Sequence, residues 1–448
     1  MTFDTLGLRP ALLSRLAEAE LTTPTPIQTQ AIPLAMEGRD VMGLAQTGTG
    51  KTLAFGLPIA DALLASAEKA DPKSARALIL APTRELAKQI ADNLKAILQN
   101  AHLRVGLVVG GASINAQAQR MERGMHILVA TPGRLIDLMN RRAIDLSKTR
   151  YLVLDEADQM LDLGFIHDLR KIAKVVPENR QTLLFSATMP KLMEEIAGAF
   201  LNDPVRVQVS PPGKTADKID QSIVFVSTAS KQDALVDLLD QHRDELALVF
   251  TRTKHGADKL MKKLDQAGFA AGAIHGNKSQ GQRNRALQEF KDGTIRILVA
   301  TDVAARGIDI PDVRHVYNFD LPNVPDNYVH RIGRTARAGR DGRAVSFCAP
   351  EDMGELRDIE KVIGQEIKTL SGERPTGGGH HRKPTGRRGR NGPGRPQGAG
   401  QNNGQGRGKG GNRGGNPAKQ GKPQGQQTAK PKGNRQRRRK SGGQQSAA

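Results

Sequence analysis

The residues best suited to chemistry lie in two short segments about a hundred positions apart. The first, 45–52, reads Ala-Gln-Thr-Gly-Thr-Gly-Lys-Thr and lies between an apolar run and a helical stretch. In this context, glycines let backbone N–H groups point at phosphate oxygens, the lysine reaches the β- and γ-phosphates, and a hydroxyl binds Mg²⁺. We therefore expect a phosphate-binding loop made of Thr47, Gly48, Thr49, Gly50, Lys51 and Thr52.

The second segment, Asp-Glu-Ala-Asp at 155–158, follows the apolar residues 151–154. Carboxylates at the carboxyl end of a parallel strand lie in the crevice where open α/β sheets bind ligands. We expect Asp155 to bind Mg²⁺ together with Thr52, and Glu156 to orient and deprotonate the attacking water. The two segments together indicate hydrolysis of a nucleoside triphosphate.

The elements that must position these residues alternate regularly along the chain. Short apolar runs at 77–80, 105–109, 127–129, 151–154 and 182–185 predict buried parallel strands, and 84–98, 132–140 and 191–200 have helical spacing between them. A second series of strands is predicted at 223–226, 246–250, 271–274, 297–300, 313–318 and 344–347. The alternation predicts two α/β domains, each a parallel sheet covered by helices on both faces.

Turn-forming residues interrupt the pattern at 202–221, which predicts a connector. We therefore divide the chain into a first domain at 1–203, a linker at 204–221, a second domain at 222–370 and a tail at 371–448.

The tail differs from the rest in charge and composition. It carries 19 Lys and Arg against 1 acidic residue, whereas 1–370 carries 48 against 45, so most of the net charge of +21 belongs to the tail. Glycine, glutamine, asparagine and proline replace aliphatic residues there, which predicts disorder because little apolar area can be buried. The charge asymmetry indicates a polyanionic partner.

Several other classes of protein are not expected. The first ten residues lack the pattern of a secretory signal, and no apolar stretch is long enough to span a bilayer, so no membrane partner is expected. One cysteine, Cys348, excludes a disulfide within the chain and fits a reducing compartment. We expect a cytoplasmic protein. His275 and His330 belong to no Cys/His cluster at ligand spacing, so a histidine metal site is not expected.

Taken together, the motifs resemble those of the DEAD-box RNA helicases, a family named for the tetrapeptide present at 155–158. The similarity covers 1 to about 365 and extends over many motifs in the family's order. The matching segments are Pro-Thr-Pro-Ile-Gln at 24–28, Pro-Thr-Arg-Glu-Leu-Ala at 82–87, Gly-Gly at 110–111, Thr-Pro-Gly-Arg at 131–134, Ser-Ala-Thr at 186–188, Val-Phe-Thr-Arg at 249–252, 300–309 and 330–337. Within the family the chain looks most similar to the bacterial RNA helicase E (RhlE) subgroup.

The resemblance implies a fold and a nucleotide site. It implies two tandem RecA-like domains of the P-loop NTPase type, with ATP and Mg²⁺ as cofactors. Gln28 would read the adenine edge, and Phe3 would stack on the base, although core packing is the ordinary role of such an aromatic. Asp309 would contact the ribose. Arg334 and Arg337 would act as arginine fingers, so hydrolysis should require closure of the two domains.

The resemblance also assigns RNA contacts and coupling. The residues that would contact the RNA backbone are Arg84, Gly111, Thr131, Gly133, Arg134 and Thr301. The residues that would couple hydrolysis to strand separation are Ser186, Thr188 and Asp158. Such contacts read the backbone and not the sequence. One departure is Ala336, which takes the place usually held by glycine and restricts the backbone there.

These features predict an ATP-dependent RNA helicase that unwinds short duplexes locally, with an RNA-stimulated ATPase. The alternatives are an ATP-gated RNA clamp or assembly factor without significant unwinding, and a DNA motor. The tail is expected to tether RNA through counterion release, the alternative being a solubilising tail. Partner proteins are expected among the ribosome-assembly or RNA-degradation machinery.

Overall fold

Two successive parallel sheets, each with its own helices, make up the described part of the protein in the computed structural model. The structure describes residues 1–45, 48–66, 68–99, 101–189, 191–209, 219–305, 310, 312–336 and 341–375. All of them belong to one unit of the chain, Met1–Lys383. The predicted tail at 371–448 lies outside the described residues from 376 onward.

The first sheet has seven strands, all parallel, in the order β3-β4-β2-β5-β6-β1-β7. Its strands are β1 (Val41–Leu44), β2 (Ala75–Leu80), β3 (Val105–Val108), β4 (Met125–Ala130), β5 (Tyr151–Leu154), β6 (Gln181–Ser186) and β7 (Val205–Gln208). Both β2 and β4 are buried at every position, because helices cover both faces of the sheet. β5, β6 and β1 are consecutive neighbours, so the segments that follow them meet at one edge.

The helices of the first domain begin where the sequence supplies helix-starting residues. Pro26 and Pro132 occupy first-turn positions, and the Thr83 hydroxyl accepts a hydrogen bond from the Leu86 N–H at the start of its helix. The helices are α1 (Pro10–Glu18), α2 (Pro26–Met36), α3 (Lys51–Ser66), α4 (Arg84–Ile97), α5 (Ile114–Met121), α6 (Pro132–Asn140), α7 (Ala157–Asp162), α8 (Ile166–Ala173) and α9 (Lys191–Phe200), with a 3₁₀ turn at Phe3–Leu6.

The second sheet repeats the plan, again with seven parallel strands, in the order β10-β11-β9-β12-β13-β8-β14. Its strands are β8 (Ile219–Phe225), β9 (Leu246–Phe250), β10 (Ala271–Ile274), β11 (Ile297–Ala300), β12 (Val313–Asn318), β13 (Gly342–Cys348) and β14 (Lys368–Ser371). Its helices are α10 (Lys231–Asp240), α11 (Lys254–Gln266), α12 (Gln280–Lys291), α13 (Asp302–Ala305), α14 (Asp326–Ile332) and α15 (Met353–Ile363), with a 3₁₀ turn at Pro350–Asp352.

Two segments of the structure differ from the sequence-based division of the chain. Residues assigned to the linker include the strand β7, which pairs with β1, and the start of β8. The turn-forming residues around 202–204 end α9 but do not end the first sheet. Because β7 is an edge strand of four residues with one buried position, its sequence gives only a weak strand pattern. Residues 210–218 of the linker lie outside the described residues.

Each sheet has an apolar cluster on either face. One cluster of the first domain joins α1–α4 to the sheet, and the other joins α6–α9 to the opposite face. The second sheet is covered in the same way by two clusters. The α/β class and the two parallel sheets predicted from the sequence are confirmed. Among the described residues, no helix combines the length and apolar character needed to cross a membrane.

Candidate nucleotide site and RNA interface

The phosphate-binding loop connects β1 to α3 at the carboxyl edge of the first sheet. Gly48 and Gly50 have φ angles of 88° and 91°, in the left-handed region that glycine adopts without strain. A Cβ atom at Gly50 would lie 2.5 Å from Gln28 Nε2 and 2.9 Å from Thr25 Oγ1. Position 50 therefore requires glycine for both conformation and space. Thr47, predicted to belong to this loop, lies outside the described residues.

Lys51 opens α3, and its side chain is buried at 5% exposure. Its ammonium group donates a hydrogen bond to the Ala45 carbonyl at 3.1 Å and lies 3.7 Å from Asp155 Oδ1. The structure thus brings the predicted lysine of the loop and the first carboxylate of the 155–158 segment together. The hydroxyl-bearing Thr52 follows at a half-buried position.

Asp155 follows β5 and is almost fully buried. Burial raises the pKa of its carboxyl from 3.8 to about 6, although the nearby Lys51 ammonium opposes the shift. The protein alone therefore stabilises the ionised Asp155 carboxylate poorly. A buried carboxylate near the start of α3, where Lys51 lies 3.7 Å away, offers oxygen ligands of the kind that a hard divalent cation such as Mg²⁺ prefers.

Glu156 has backbone angles of φ 51° and ψ 51°, a left-handed conformation that is uncommon for a residue with a side chain. It precedes α7 and is 2% exposed. Strain of this kind persists where the surrounding structure imposes it, and it is frequent at functional sites. The conformation turns the chain sharply between Asp155, at the strand end, and α7.

The three residues predicted to couple hydrolysis to strand separation form one hydrogen-bonded cluster. The Asp158 carboxylate accepts hydrogen bonds from the Ala187 N–H at 3.1 Å, from the Thr188 N–H at 2.8 Å and from the Thr188 hydroxyl at 2.9 Å. The Ser186 hydroxyl donates to the Thr188 carbonyl at 2.7 Å. The cluster therefore links the segment that follows β5 to the segment that follows its neighbour β6.

Gln28 and Phe3, the predicted base contacts, are both buried. The Gln28 side chain accepts from the Thr25 N–H at 2.9 Å and donates to the Gly50 carbonyl at 2.9 Å, so it connects the start of α2 to the phosphate-binding loop. Phe3 lies in the apolar cluster beside α1 and α2 and is 4% exposed. Core packing, the alternative considered for Phe3, is the contact that the structure contains.

Predicted RNA contacts of the first domain lie in the loop or the helix start that follows each of three neighbouring strands, β3, β4 and β2. The Arg84 guanidinium covers Gly111, where a Cβ atom would lie 2.4 Å from Arg84 Nη1. Arg134 donates to the Ala112 carbonyl at 2.8 Å, and Gly133 lies one residue before it on the first turn of α6. Thr131 precedes that helix as its N-cap residue. These five residues therefore lie at one edge of the first sheet.

In the second domain, the structure describes Thr301 and Arg334, whereas Asp309 and Arg337 lie outside the described residues. Thr301 follows β11, and its carbonyl accepts hydrogen bonds from Ala304 and Ala305 of α13. Arg334 is 3% exposed, and its Nε donates to the His330 carbonyl at 3.1 Å.

Arg331 was not predicted as a site residue, yet its side chain donates four hydrogen bonds. It binds both carboxylate oxygens of Asp302 and donates to Asn318 Oδ1 at 3.2 Å and to the Asp320 carbonyl at 2.6 Å. Its guanidinium also lies 5.0 Å from the centre of the Phe250 ring. Arg331 therefore joins the carboxyl ends of β11, β9 and β12, which are neighbours.

The sequence departure at Ala336 has a structural counterpart. Its φ angle is 56°, so alanine adopts the left-handed conformation here. The preceding Thr335 hydroxyl donates to the Val313 carbonyl at 2.6 Å, which holds the segment against β12. A left-handed alanine is destabilised relative to glycine by about 1 kcal/mol.

A polar contact joins the two domains, and no sequence motif indicated it. Gln280 of α12 accepts from Arg84 at 3.2 Å and donates to Glu85 at 3.0 Å, and Arg283 lies 2.9 Å from the other Glu85 oxygen. The side chains of Glu85 and Arg283 are 6% and 11% exposed. Gln280 and Arg283 are three apart at the start of one helix, and this spacing places them on one face. The same spacing is found at the start of many helices, so the sequence alone gave no signal for this contact.

These observations define a P-loop NTPase with two tandem α/β domains and a polar contact between them. The model of the DEAD/DEAH box helicase family matches 25–196, and that of the helicase conserved C-terminal domain matches 230–339. The ATP-dependent RNA helicase CshA of Listeria monocytogenes is 46% identical over 370 residues, covering 82% of this chain and 70% of that protein. CshA of Streptococcus pneumoniae is also 46% identical over 370 residues, covering 83% and 70%.

Solved structures agree in fold. Dbp5 of S. cerevisiae bound to RNA and ADP BeF3 gives a TM-score of 0.74 at 32% identity, covering 82% of this chain and 95% of that one. Mss116p bound to ssRNA and AMP-PNP gives 0.75 at 29% identity, covering 83% and 80%. The chain belongs to the DEAD-box ATP-dependent RNA helicases. It is an RNA-dependent ATPase that uses ATP to unwind RNA locally, and its two domains are RecA-like, as the resemblance implied.

Proposed function

We propose that ATP binds with its phosphates on the 45–52 loop and that the residues predicted from the family act there in the expected roles. The observation that carries this proposal is the buried contact of Lys51 with Asp155, at the point where β1 and β5 end. Lys51 would exchange the Ala45 carbonyl for the β- and γ-phosphates, while the N–H groups of 47–50 bind phosphate oxygens. Thr52 and Asp155 would hold Mg²⁺, which when bound neutralises charge on the phosphates.

The remaining nucleotide contacts come from both domains. Glu156 accepts the proton of the attacking water, and Arg334 and Arg337 neutralise charge on the transferring γ-phosphoryl group. Gln28 contacts the adenine edge and Asp309 binds the ribose, whereas Phe3 packs in the core beside α1 and α2, with base stacking as the alternative. Because the arginines belong to the second domain, hydrolysis depends on closure of the two domains around ATP.

RNA would bind across the loops that follow β3, β4, β2 and β11. Glycines there let main-chain N–H groups approach phosphates, and arginines neutralise them, so the contacts are independent of sequence. The residues are Arg84, Gly111, Thr131, Gly133, Arg134 and Thr301. Closure with ATP bends one strand, and the cluster of Asp158, Ser186 and Thr188 transmits hydrolysis into reopening.

The direct test is ATPase activity with and without RNA, together with strand separation on a short duplex. We expect RNA to stimulate the unmodified protein, Lys51→Ala to lose ATP binding, and Glu156→Gln to bind ATP and RNA without turnover. The matched control is Lys88→Ala, which removes an exposed lysine of α4 that pairs with Asp92. Equal basal and RNA-stimulated rates would refute the proposed coupling, and stimulation without strand separation would favour the clamp alternative.

The tail, the cellular setting and the subgroup belong to the same proposal. We propose that 371–448 tethers RNA non-specifically, that the protein acts in the cytoplasm, and that it works with ribosome-assembly or RNA-degradation machinery. Deleting 375–448 should lower RNA affinity without changing ATP binding. The slope of log RNA affinity against log salt concentration should become less steep by about 0.7 for each lost phosphate contact. The RhlE subgroup stays a proposal, since the relatives described above carry the name CshA.

A further inference from the structure

Three potential metal ligands meet at the amino edge of the second sheet, opposite the edge that carries the nucleotide motifs. His242 and Glu245 lie in the connection between α10 and β9, and His315 lies near the start of β12. Since β9 and β12 are neighbours, with His315 opposite Ala247, these residues are adjacent although about seventy positions separate them along the chain. One ligand atom from each of the three lies within 4.8 Å of the others.

The strand holds the central histidine rigidly. His315 is 5% exposed, and its Nε2 hydrogen-bonds to the Glu245 carboxylate. Its Nδ1 is buried and has no hydrogen-bond partner within the described part of the chain. His242 Nδ1 lies 3.6 Å from the same carboxylate oxygen, and the two imidazole rings stack with centres 4.3 Å apart. The carboxylate therefore lies between two imidazole nitrogens.

This set of donors has a definite coordination chemistry. Two imidazoles and one carboxylate, with water in a fourth position, form a common tetrahedral zinc site. Ligand atoms about 2.1 Å from the ion are about 3.4 Å apart in such a tetrahedron, close to the 3.6 Å between His242 and Glu245. His315 Nε2 is hydrogen-bonded to the same carboxylate oxygen, so these two atoms must move apart when the ion binds between them. The His242 ring must turn out of its stack to direct Nδ1 at the ion, and its side chain, 27% exposed, has room to do so.

Neighbouring cations set a condition on binding. Arg343, beside His315 on the next strand, lies 3.4 Å from His242 Nε2, the nitrogen that must carry a proton when Nδ1 binds a metal. The Arg343 side chain is 48% exposed and already lies 3.6 Å from Asp220, so it can turn towards that carboxylate. The Arg343 charge opposes any cation, and two of the three donors are imidazoles, so an ion that binds imidazole strongly is favoured over Mg²⁺ or Ca²⁺.

We propose that His242, Glu245 and His315 form a binding site for a divalent transition-metal ion of the Zn²⁺ type. The ion would join the α10–β9 connection to β12, at the edge of the second sheet opposite the nucleotide motifs. The proposal is independent of the roles proposed above for the nucleotide and RNA residues.

The test uses the full-length chain without an affinity tag. Zn²⁺ is titrated against a chromophoric chelator in millimolar Mg²⁺, which occupies hard oxygen sites, and Co²⁺ is substituted to record its visible absorption. We expect one site per chain and an absorption typical of four-coordinate Co²⁺. His242→Ala and Glu245→Gln should weaken Zn²⁺ binding at least tenfold. Both variants alter side chains that are partly exposed, so folding should be retained and is checked by thermal unfolding.

Two controls separate this site from other histidines. His255→Ala removes an exposed histidine on α11, and a double replacement of His380 and His381 removes the histidines of the tail. Both should leave Zn²⁺ affinity unchanged. The proposal is overturned if His242→Ala and Glu245→Gln bind Zn²⁺ as tightly as the unmodified chain, or if the site disappears with the tail histidines.

Discussion

Replacing Glu85 by glutamine keeps the shape of the side chain and removes the negative charge that faces Arg283 between the two domains. The two side chains are 2.9 Å apart, with 6% and 11% exposure, so the pair is largely shielded from water. Glu85 also accepts a hydrogen bond from Gln280. The substitution leaves a buried guanidinium with a weaker, neutral acceptor.

The expected cost of Glu85→Gln follows from the burial of the Glu85–Arg283 pair. Breaking a buried ion pair by removing one partner costs about 3–5 kcal/mol, and the hydrogen bond that Arg283 can still donate to the introduced amide oxygen offsets part of that loss. We expect a net cost of about 2 kcal/mol, or about 30-fold in the population of the arrangement in which the two domains touch at this pair. When the domains separate, both groups are hydrated. The cost therefore falls on closure and not on the folding of either domain.

The assay is RNA-stimulated ATP hydrolysis as a function of RNA concentration. The half-saturating RNA concentration should rise about 30-fold in Glu85→Gln, while the thermal unfolding temperature changes little. Glu195→Gln is the matched control, because Glu195 forms an exposed ion pair with Arg170 in the same domain. Exposed pairs contribute about 0–1 kcal/mol.

A double variant, Glu85→Gln with Arg283→Gln, tests the same reasoning. With both charges removed no buried ion is left unpaired, so the double variant should be less impaired than the sum of the two single variants. The reasoning is refuted if Glu85→Gln leaves the half-saturating RNA concentration unchanged, or if the two single effects simply add.

Three further predictions concern single residues. Phe3→Ala should lower the free energy of unfolding by about 3 kcal/mol because the ring packs in the core, as measured by urea unfolding; unchanged stability with a raised KM for ATP would instead indicate base stacking. Ala336→Gly should raise the free energy of unfolding by about 0.5 kcal/mol, because the relief of about 1 kcal/mol of strain at the positive φ is partly offset by the greater freedom of glycine in the unfolded chain, whereas Ala62→Gly inside α3 should lower it by about 1 kcal/mol. For Asp155, the folded pKa of about 6 exceeds the unfolded value of 3.8. The contribution of the Asp155 carboxyl to the free energy of unfolding is therefore complete below pH 3.8 and is lost as the pH rises through about 6. When the pH is lowered from about 7.5 to about 5 without nucleotide and Mg²⁺, the free energy of unfolding of the unmodified protein should rise by about 1 kcal/mol more than that of Asp155→Asn. Equal pH slopes for the two proteins would contradict the assigned burial.

The strand, turn and helix start around the phosphate-binding loop were predictable because their geometry is local. A strand, a glycine-containing turn and a helix start are specified by consecutive residues, so the positions of Gly48, Gly50, Lys51 and Thr52 followed from 41–52 alone. The same holds for Asp155, which directly follows an apolar strand. The apolar runs also predicted both sheets, since strands covered on both faces are apolar at nearly every position.

Contacts between distant segments required the tertiary structure. The order of strands decides that the ends of β5, β6 and β1 meet, and that Arg331 binds groups from three strands. Nothing local distinguishes Gln280 and Arg283 from an ordinary helix start, and their partner Glu85 is almost two hundred positions away. Nor does the sequence bring His242 and Glu245 to His315. Sequence by itself determined which residues could do chemistry, because phosphate binding depends on neighbours in the chain. Only the folded structure decided which distant residues lie together, because strand order and the contact between domains bring together residues that are far apart in the sequence.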